Sequence, residues 1–162
     1  MKLKAFDIKK LRYPNSNLTY EQVLRNEIHR FKDILQKYIV AYYNSYSPNV
    51  YIRKSHGGNL LESLTVDDIV QISANGKQLI CKVLINENAI HTSVVDKKSY
   101  GNAFWLMNYG WEVGEDVSFH DRYRFGYFEG AHFLESAIEE FKNTNKYGLT
   151  IKIEEPLMFY GY

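Results

Sequence analysis

The chain has 162 residues, 45% hydrophobic and 24% charged, with a formal net charge of +1. That balance excludes an intrinsically disordered chain, which needs low hydrophobicity and high net charge. It also lacks the strongly basic character of a dedicated nucleic-acid binder. Cys81 is the single cysteine, so no intramolecular disulfide forms, and no apolar run approaches the roughly 20 residues of a membrane span.

A chain of this length is expected to fold as a single domain, residues 1–162. The outlying quantity is the aromatic share: 14 Tyr, 9 Phe and 2 Trp. Tyrosine joins an apolar ring to a polar tip, which suits surfaces that are wet before assembly and buried after it. It is also a good strand former. Both readings can hold at once.

The N-terminal arm, residues 1–17, is basic: Lys2, Lys4, Lys9, Lys10 and Arg12 stand against Asp7. It reads as a solvated segment, or as one that touches phosphates or an acidic partner. It has no apolar core of a signal peptide. With the lone thiol set in an apolar run, this leads to the expectation of a soluble protein, intracellular when made.

A long helix is predicted over residues 19–43. Thr19 and Gln22 fit a capping box, and Leu24, Ile28, Phe31, Leu35, Tyr38 and Tyr42 recur at steps of three and four along one face. The stripe is too short for a coiled-coil seam and reads as core. Pro48 forbids continuation, since it lacks a donor and pushes Ser47 toward extended backbone.

Beyond it, residues 49–53 read as extended, His56-Gly57-Gly58-Asn59 as a turn, and residues 60–66 as a strand or one helical turn. Residues 69–73 alternate, Asn75-Gly76 is a two-residue hairpin signal, and residues 79–85 form the returning strand. Residues 90–95 are expected to add another. Residues 96–126 read as a long aromatic loop for assembly, with residues 102–109 a short helix or strand inside it. Loops of that length are uncommon unless functional or disordered, and the aromatic content argues against disorder.

A second helix is predicted over residues 129–143, with Phe133, Leu134, Ala137, Ile138 and Phe141 as its stripe. Asn145 to Gly148 ends it, and Leu149, Ile151 and Ile153 alternate as a closing strand. The order gives an α+β fold, with the long N-terminal helix and the C-terminal helix packed on an antiparallel sheet.

Chemistry is sought in the same residues. His29, His56, His91, His120 and His132 are too dispersed for paired zinc ligands. Glu129 and His132 have the i, i+3 spacing of carboxylate-bridged metal bundles, which require a second copy and further glutamates. His120-Asp121 resembles half of a metal-phosphohydrolase ligand set, and the other half is not evident. The residues contain no phosphate-binding loop, nucleophile elbow or dinucleotide fingerprint. The expectation is therefore a non-enzymatic protein with no cofactor and no metal. Tyr51-Ile52-Arg53-Lys54 and Arg122-Tyr123-Arg124-Phe125 interleave basic and aromatic residues in miniature, as single-strand binders do.

Three segments carry a resemblance. Residues 41–64 (AYYNSYSPNVYIRKSHGGNLLESL), the NYGW of Asn108 to Trp111, and residues 127–153 (YFEGAHFLESAIEEFKNTNKYGLTIKI) resemble passages in small structural proteins of long-tailed phages of Gram-positive hosts, in the head–tail joining or tail-completion group. The likeness covers residues 24–153. It departs at Lys54-Ser55-His56-Gly57-Gly58, where a tight Thr-containing turn is expected. The resemblance implies a homo-oligomeric ring subunit, hexameric or dodecameric, in the virion neck or tail end after assembly in the host cytoplasm. Its partners would be neighbouring neck and tail proteins, with passive contact to DNA in transit and none to membrane. Aromatic density outside the helical stripes selects Tyr46, Tyr51, Arg53, Trp105, Trp111, Arg122, Tyr123 and Phe125 as interface residues. The alternative is a small intracellular nucleic-acid-binding or regulatory module encoded by a mobile element.

Overall fold

The computed structural model describes residues 8–45, 64–86, 90–92, 99–112 and 127–154. The chain is α+β. Three helices, α1 (Tyr20–Ser45), α2 (Ala103–Tyr109) and α3 (Phe133–Thr144), accompany three two-stranded antiparallel pairs. These pairs are β1 (Leu64–Ile72) with β2 (Leu79–Ile85), β3 (Ile90–Thr92) with β4 (Ser99–Asn102), and β5 (Gly110–Glu112) with β6 (Tyr127–Glu129).

The capping box forms as the sequence predicts. Thr19 N–H donates to Gln22 Oε1 at 2.8 Å, and Gln22 N–H donates to Thr19 Oγ1 at 3.2 Å. Each side chain satisfies a donor that the helix start leaves open. The buried stripe is rotated from the expected one: Val23, Glu27, Phe31, Leu35 and Ile39 are buried, while Leu24, Ile28, Tyr38 and Tyr42 flank them at partial burial. Steps of four residues advance about 40° each turn, so the core-facing line winds around α1. Glu27 is tolerated inside it because Arg30 donates to Glu27 Oε2 from Nε at 2.9 Å and from Nη2 at 2.6 Å.

Helix α3 crosses α1 in the opposite direction. Arg30 Nη1 donates to Thr144 Oγ1 at 2.7 Å and its guanidinium lies 4.5 Å from the Phe141 ring centre. Phe31 meets Phe141 edge-on at 5.5 Å, and Tyr42 meets Phe133 at 6.3 Å. As numbers rise along α1 they fall along α3. The α3 stripe is as predicted: Phe133, Leu134, Ala137 and Phe141 are buried and Ile138 packs against the core. The helix starts later than expected, because residues 127–129 are strand β6.

One face of the β1–β2 hairpin lies on α1 through Leu64, Val83 and Ile85. Leu64 opposes Ile85 and Asp67 opposes Lys82, but Gln71 opposes Ile80. Three residues of β1 therefore stand against Cys81 alone, a bulge of two extra residues that preserves the in–out alternation. Cys81 is partly buried there and its Sγ donates to the Asp67 carbonyl at 3.1 Å.

The turn differs from the two-residue form predicted for Asn75-Gly76. Ser73 N–H pairs with the Gln78 carbonyl, enclosing residues 74–77, and Gly76 N–H donates to the Ser73 carbonyl. A two-residue turn of that kind needs both central residues at positive φ, and only Gly76, at +68°, adopts it. The Asn75 side chain accepts from Ser73 Oγ and Lys77 N–H at 2.7 and 3.0 Å, holding a wider loop.

Two further expectations are corrected. Among the described residues, 149–154 pair with no strand; Leu149 and Ile151 reach the core, while Asn145 Oδ1 accepts from Tyr147 and Leu149 N–H and holds the exit from α3 as a turn. Within residues 96–126 the short element expected at 102–109 is helix α2, while strands β4 and β5 flank it where loop was expected. The arm is also folded from Ile8 onward: Leu11 and Tyr13 exchange backbone bonds with Leu18 and Tyr20, and the Tyr13 ring lies between Tyr20 and Tyr147 at 5.2 and 5.1 Å.

On the surface between α1 and α3, Glu140 accepts from Lys37 Nζ and, at 2.9 Å, from Tyr38 Oη. These hydrogen bonds hold the Glu140 carboxyl below the usual glutamate range, and the bond to Glu140 raises Lys37. A depressed carboxyl adds stability above its unfolded pKa and loses it as pH falls through the folded value. Glu140→Gln should therefore lower the urea midpoint at neutral pH, and the difference should vanish once acid protonates Glu140 in the parent chain.

Candidate assembly surface

The site is built on α2. Ala103, Phe104, Trp105, Leu106, Met107 and Asn108 are all buried, so this seven-residue helix is enclosed around most of its circumference. A helix this short does not persist alone in water. Burying each large apolar side chain contributes about 1.5–3 kcal/mol and holds it here. Asn102 caps it, accepting from Phe104 N–H at 2.9 Å, and donates through Nδ2 to the Asn86 carbonyl beyond β2.

At the far end Asn108, fully buried, joins α2 to the start of α3. Its Oδ1 accepts from Leu134 N–H at 2.8 Å, and its Nδ2 donates to Glu135 at 2.9 and 3.2 Å. Its carbonyl accepts from His132 N–H at 3.0 Å, beside the Ala131 N–H bond to the Met107 carbonyl at 2.8 Å. His132 sits at the N-cap of α3 with φ +48° and makes no side-chain cap bond. Asn108 supplies that cap from another helix. Gly130 makes the approach possible, since a Cβ there would lie 2.1 Å from the Asn108 carbonyl oxygen and 2.4 Å from the Tyr109 carbonyl carbon.

This clasp pairs β5 with β6: Gly110 opposes Glu129, Trp111 opposes Phe128, and Glu112 opposes Tyr127. Residues 112 and 127 are thus neighbours, and the segment between them leaves and re-enters the described structure at one place. The last turn of α1 reaches the two helices that this ribbon joins, α2 and α3. Tyr42 Oη donates to Met107 Sδ at 3.1 Å, its ring meets Phe133, and Tyr43 stands 6.0 Å away. Residue 46 follows α1 directly, and residues 113–126 leave from the ribbon that runs on from α2 and leads back to α3.

Of the residues selected from sequence, Trp105 is corrected. It is 4% exposed, edge-on to Phe104 at 5.0 Å and stacked on Tyr109 at 5.8 Å. Its ring is spent on the core of its own chain and offers no surface to a partner. Trp111 lies in β5, opposite Phe128. Tyr46, Tyr51, Arg53, Arg122, Tyr123 and Phe125 fall outside the described residues, as do the His56 turn and His120-Asp121.

Glu129 and His132 do not share a helix, because Glu129 ends β6 and His132 only begins α3. His132 Nδ1 is 3.9 Å from Glu135 Oε2 instead. Among the described residues no group of three or more His, Cys, Asp or Glu could hold a metal ion, and no helix is long and apolar enough to cross a membrane. Sequence reasoning missed Asn108 as a cap because its partners are 26 and 27 residues away. The available signal was a helix start with no Ser, Thr, Asp or Asn at the cap and a glycine two residues before it.

Comparison with known protein families, curated proteins and solved structures finds no match.

The clasp makes its own prediction. Asn108→Ala removes the α3 cap and leaves the buried Leu134 N–H unsatisfied, a loss of about 1–3 kcal/mol. Gly130→Ala drives a methyl into backbone and should cost at least as much. Chemical denaturation of the two variants measures both.

Proposed function

We propose that the chain is a structural subunit of a phage neck or tail end, working by assembly into a homo-oligomeric ring. The observation that carries the reading is that residues 46–63 follow α1, whose last turn contacts α2 and α3, while residues 113–126 leave the β5–β6 ribbon joining those two helices. Tyr46, Tyr51 and Arg53 belong to one segment and Arg122, Tyr123 and Phe125 to the other, with Trp111 at the base of the second. One segment follows the end of α1 and the other follows the ribbon between α2 and α3, and their aromatic and basic side chains would act together on a single partner surface. Tyrosine, tryptophan and arginine are the residues that dominate such contacts. A ring arises when one patch meets a different patch on the next copy and the rotation closes. The sequence resemblance to head–tail joining proteins points the same way.

The second reading, a nucleic-acid-binding module, draws on the same two segments. It joins Arg53 and Lys54 with Arg122 and Arg124, two short basic–aromatic runs in a chain of nearly neutral charge. Binding to single-stranded or duplex DNA that weakens steeply with salt would favour it over assembly.

The test of the ring is the paired substitution Trp111→Ala and Tyr123→Ala. The expected variant is a folded monomer by circular dichroism that forms no ring by native mass spectrometry and does not join heads to tails. Normal rings and normal particles from that variant would overturn the proposal.

A further inference from the structure

Among the described residues, helix α1 covers one face of the β1–β2 hairpin and nothing covers the other. Strand alternation puts Leu64, Val83 and Ile85 against the core at α1, with Val70, Cys81 and the exposed Ile72 farther along that face, and puts Ile69, Ile80 and Leu84 on the opposite face. These three are 68, 38 and 46% exposed, grouped about the Asp67–Lys82 pair. A two-stranded hairpin with a solvated apolar face is marginal unless something packs on it.

Two observations indicate what does. Lys82, on that same face, reaches Glu154 at 3.5 Å, so the chain leaving α3 arrives beside the exposed residues. Leu149 and Ile151 are packed against the core just before it, which fixes the direction of approach. The sequence that follows is Glu155-Pro156-Leu157-Met158-Phe159-Tyr160-Gly161-Tyr162. It is outside the described residues, and after Pro156 it is almost wholly apolar or aromatic. An extended chain gains at most ~3.6 Å per residue, so Leu157 to Tyr160 can span about 14 Å. From Lys82 to Ile80 or Leu84 is two strand residues, about 7 Å. The reach suffices.

We propose that residues 157–160 of the same chain cover the outer face of the β1–β2 hairpin, with the Lys82–Glu154 pair as the hinge at which they turn onto it. Apolar side chains meet apolar side chains, and Pro156, lacking an N–H, directs the segment across the face instead of extending the ladder from its first residue. The proposal is independent of the ring and of the nucleic-acid reading.

The test is cross-linking in the full chain. With Cys81→Ser in place, Leu84→Cys is combined with Phe159→Cys and oxidised at low protein concentration. The expected product is a monomer carrying an internal disulfide, identified by peptide mass, at a yield many-fold above a control pairing Phe159→Cys with Lys77→Cys at the hairpin tip. Equal yields in pair and control, or links only between chains, overturn the proposal. A chain ending at Glu154 gives an independent readout. It should keep its helical circular dichroism and bind several-fold more of a fluorescent apolar dye than the parent. Unchanged dye binding counts against the proposal.

Discussion

A buried amide that closes the start of a helix belonging to another part of the chain is the constraint from which most of this structure follows. Asn108 uses both ends of its side chain: the oxygen takes the Leu134 donor and the nitrogen donates to Glu135. A fully buried amide left half-satisfied would be costly, so the pairing has little latitude. It positions α3 on α2, requires Gly130 to have no side chain, and brings β5 against β6. The contact of Tyr42 with Met107 and Phe133 then ties the end of α1 to the same place.

The rest of the core is arranged about that clasp. Phe104 meets Phe133 at 5.1 Å, and the winding line of α1 supplies Phe31, Leu35 and Ile39 beneath. None of the strand pairs has a third strand among the described residues, so each depends on helices for cover. Among the described residues, the hairpin has such cover on one side only. That asymmetry accounts for the three branched aliphatic side chains standing on its other side.

Two tryptophans six residues apart lie on different elements. Trp105 is enclosed because α2 is enclosed, whereas Trp111 lies on the two-stranded ribbon from which residues 113–126 depart. Aromatic density alone cannot separate them, since large apolar rings serve cores and interfaces equally well. For Trp105 the enclosure of the backbone that carries the ring decides the matter.

Features closed within a few residues were legible in the amino-acid sequence: the Thr19–Gln22 box, the apolar stripe of α3, the turn at Asn145, and the strands that flank the hairpin loop. Hydrogen bonds to backbone two to four positions away and the helical or strand period specify these without reference to anything distant. Only the tertiary structure decided that residues 103–109 coil instead of extending, that the buried line of α1 runs through Val23 and Glu27, that residues 149–154 join no sheet among the described residues, and that Asn108 caps α3. Each of those is settled by which surface lies opposite. The partners come from segments tens of residues apart, so no local pattern records them.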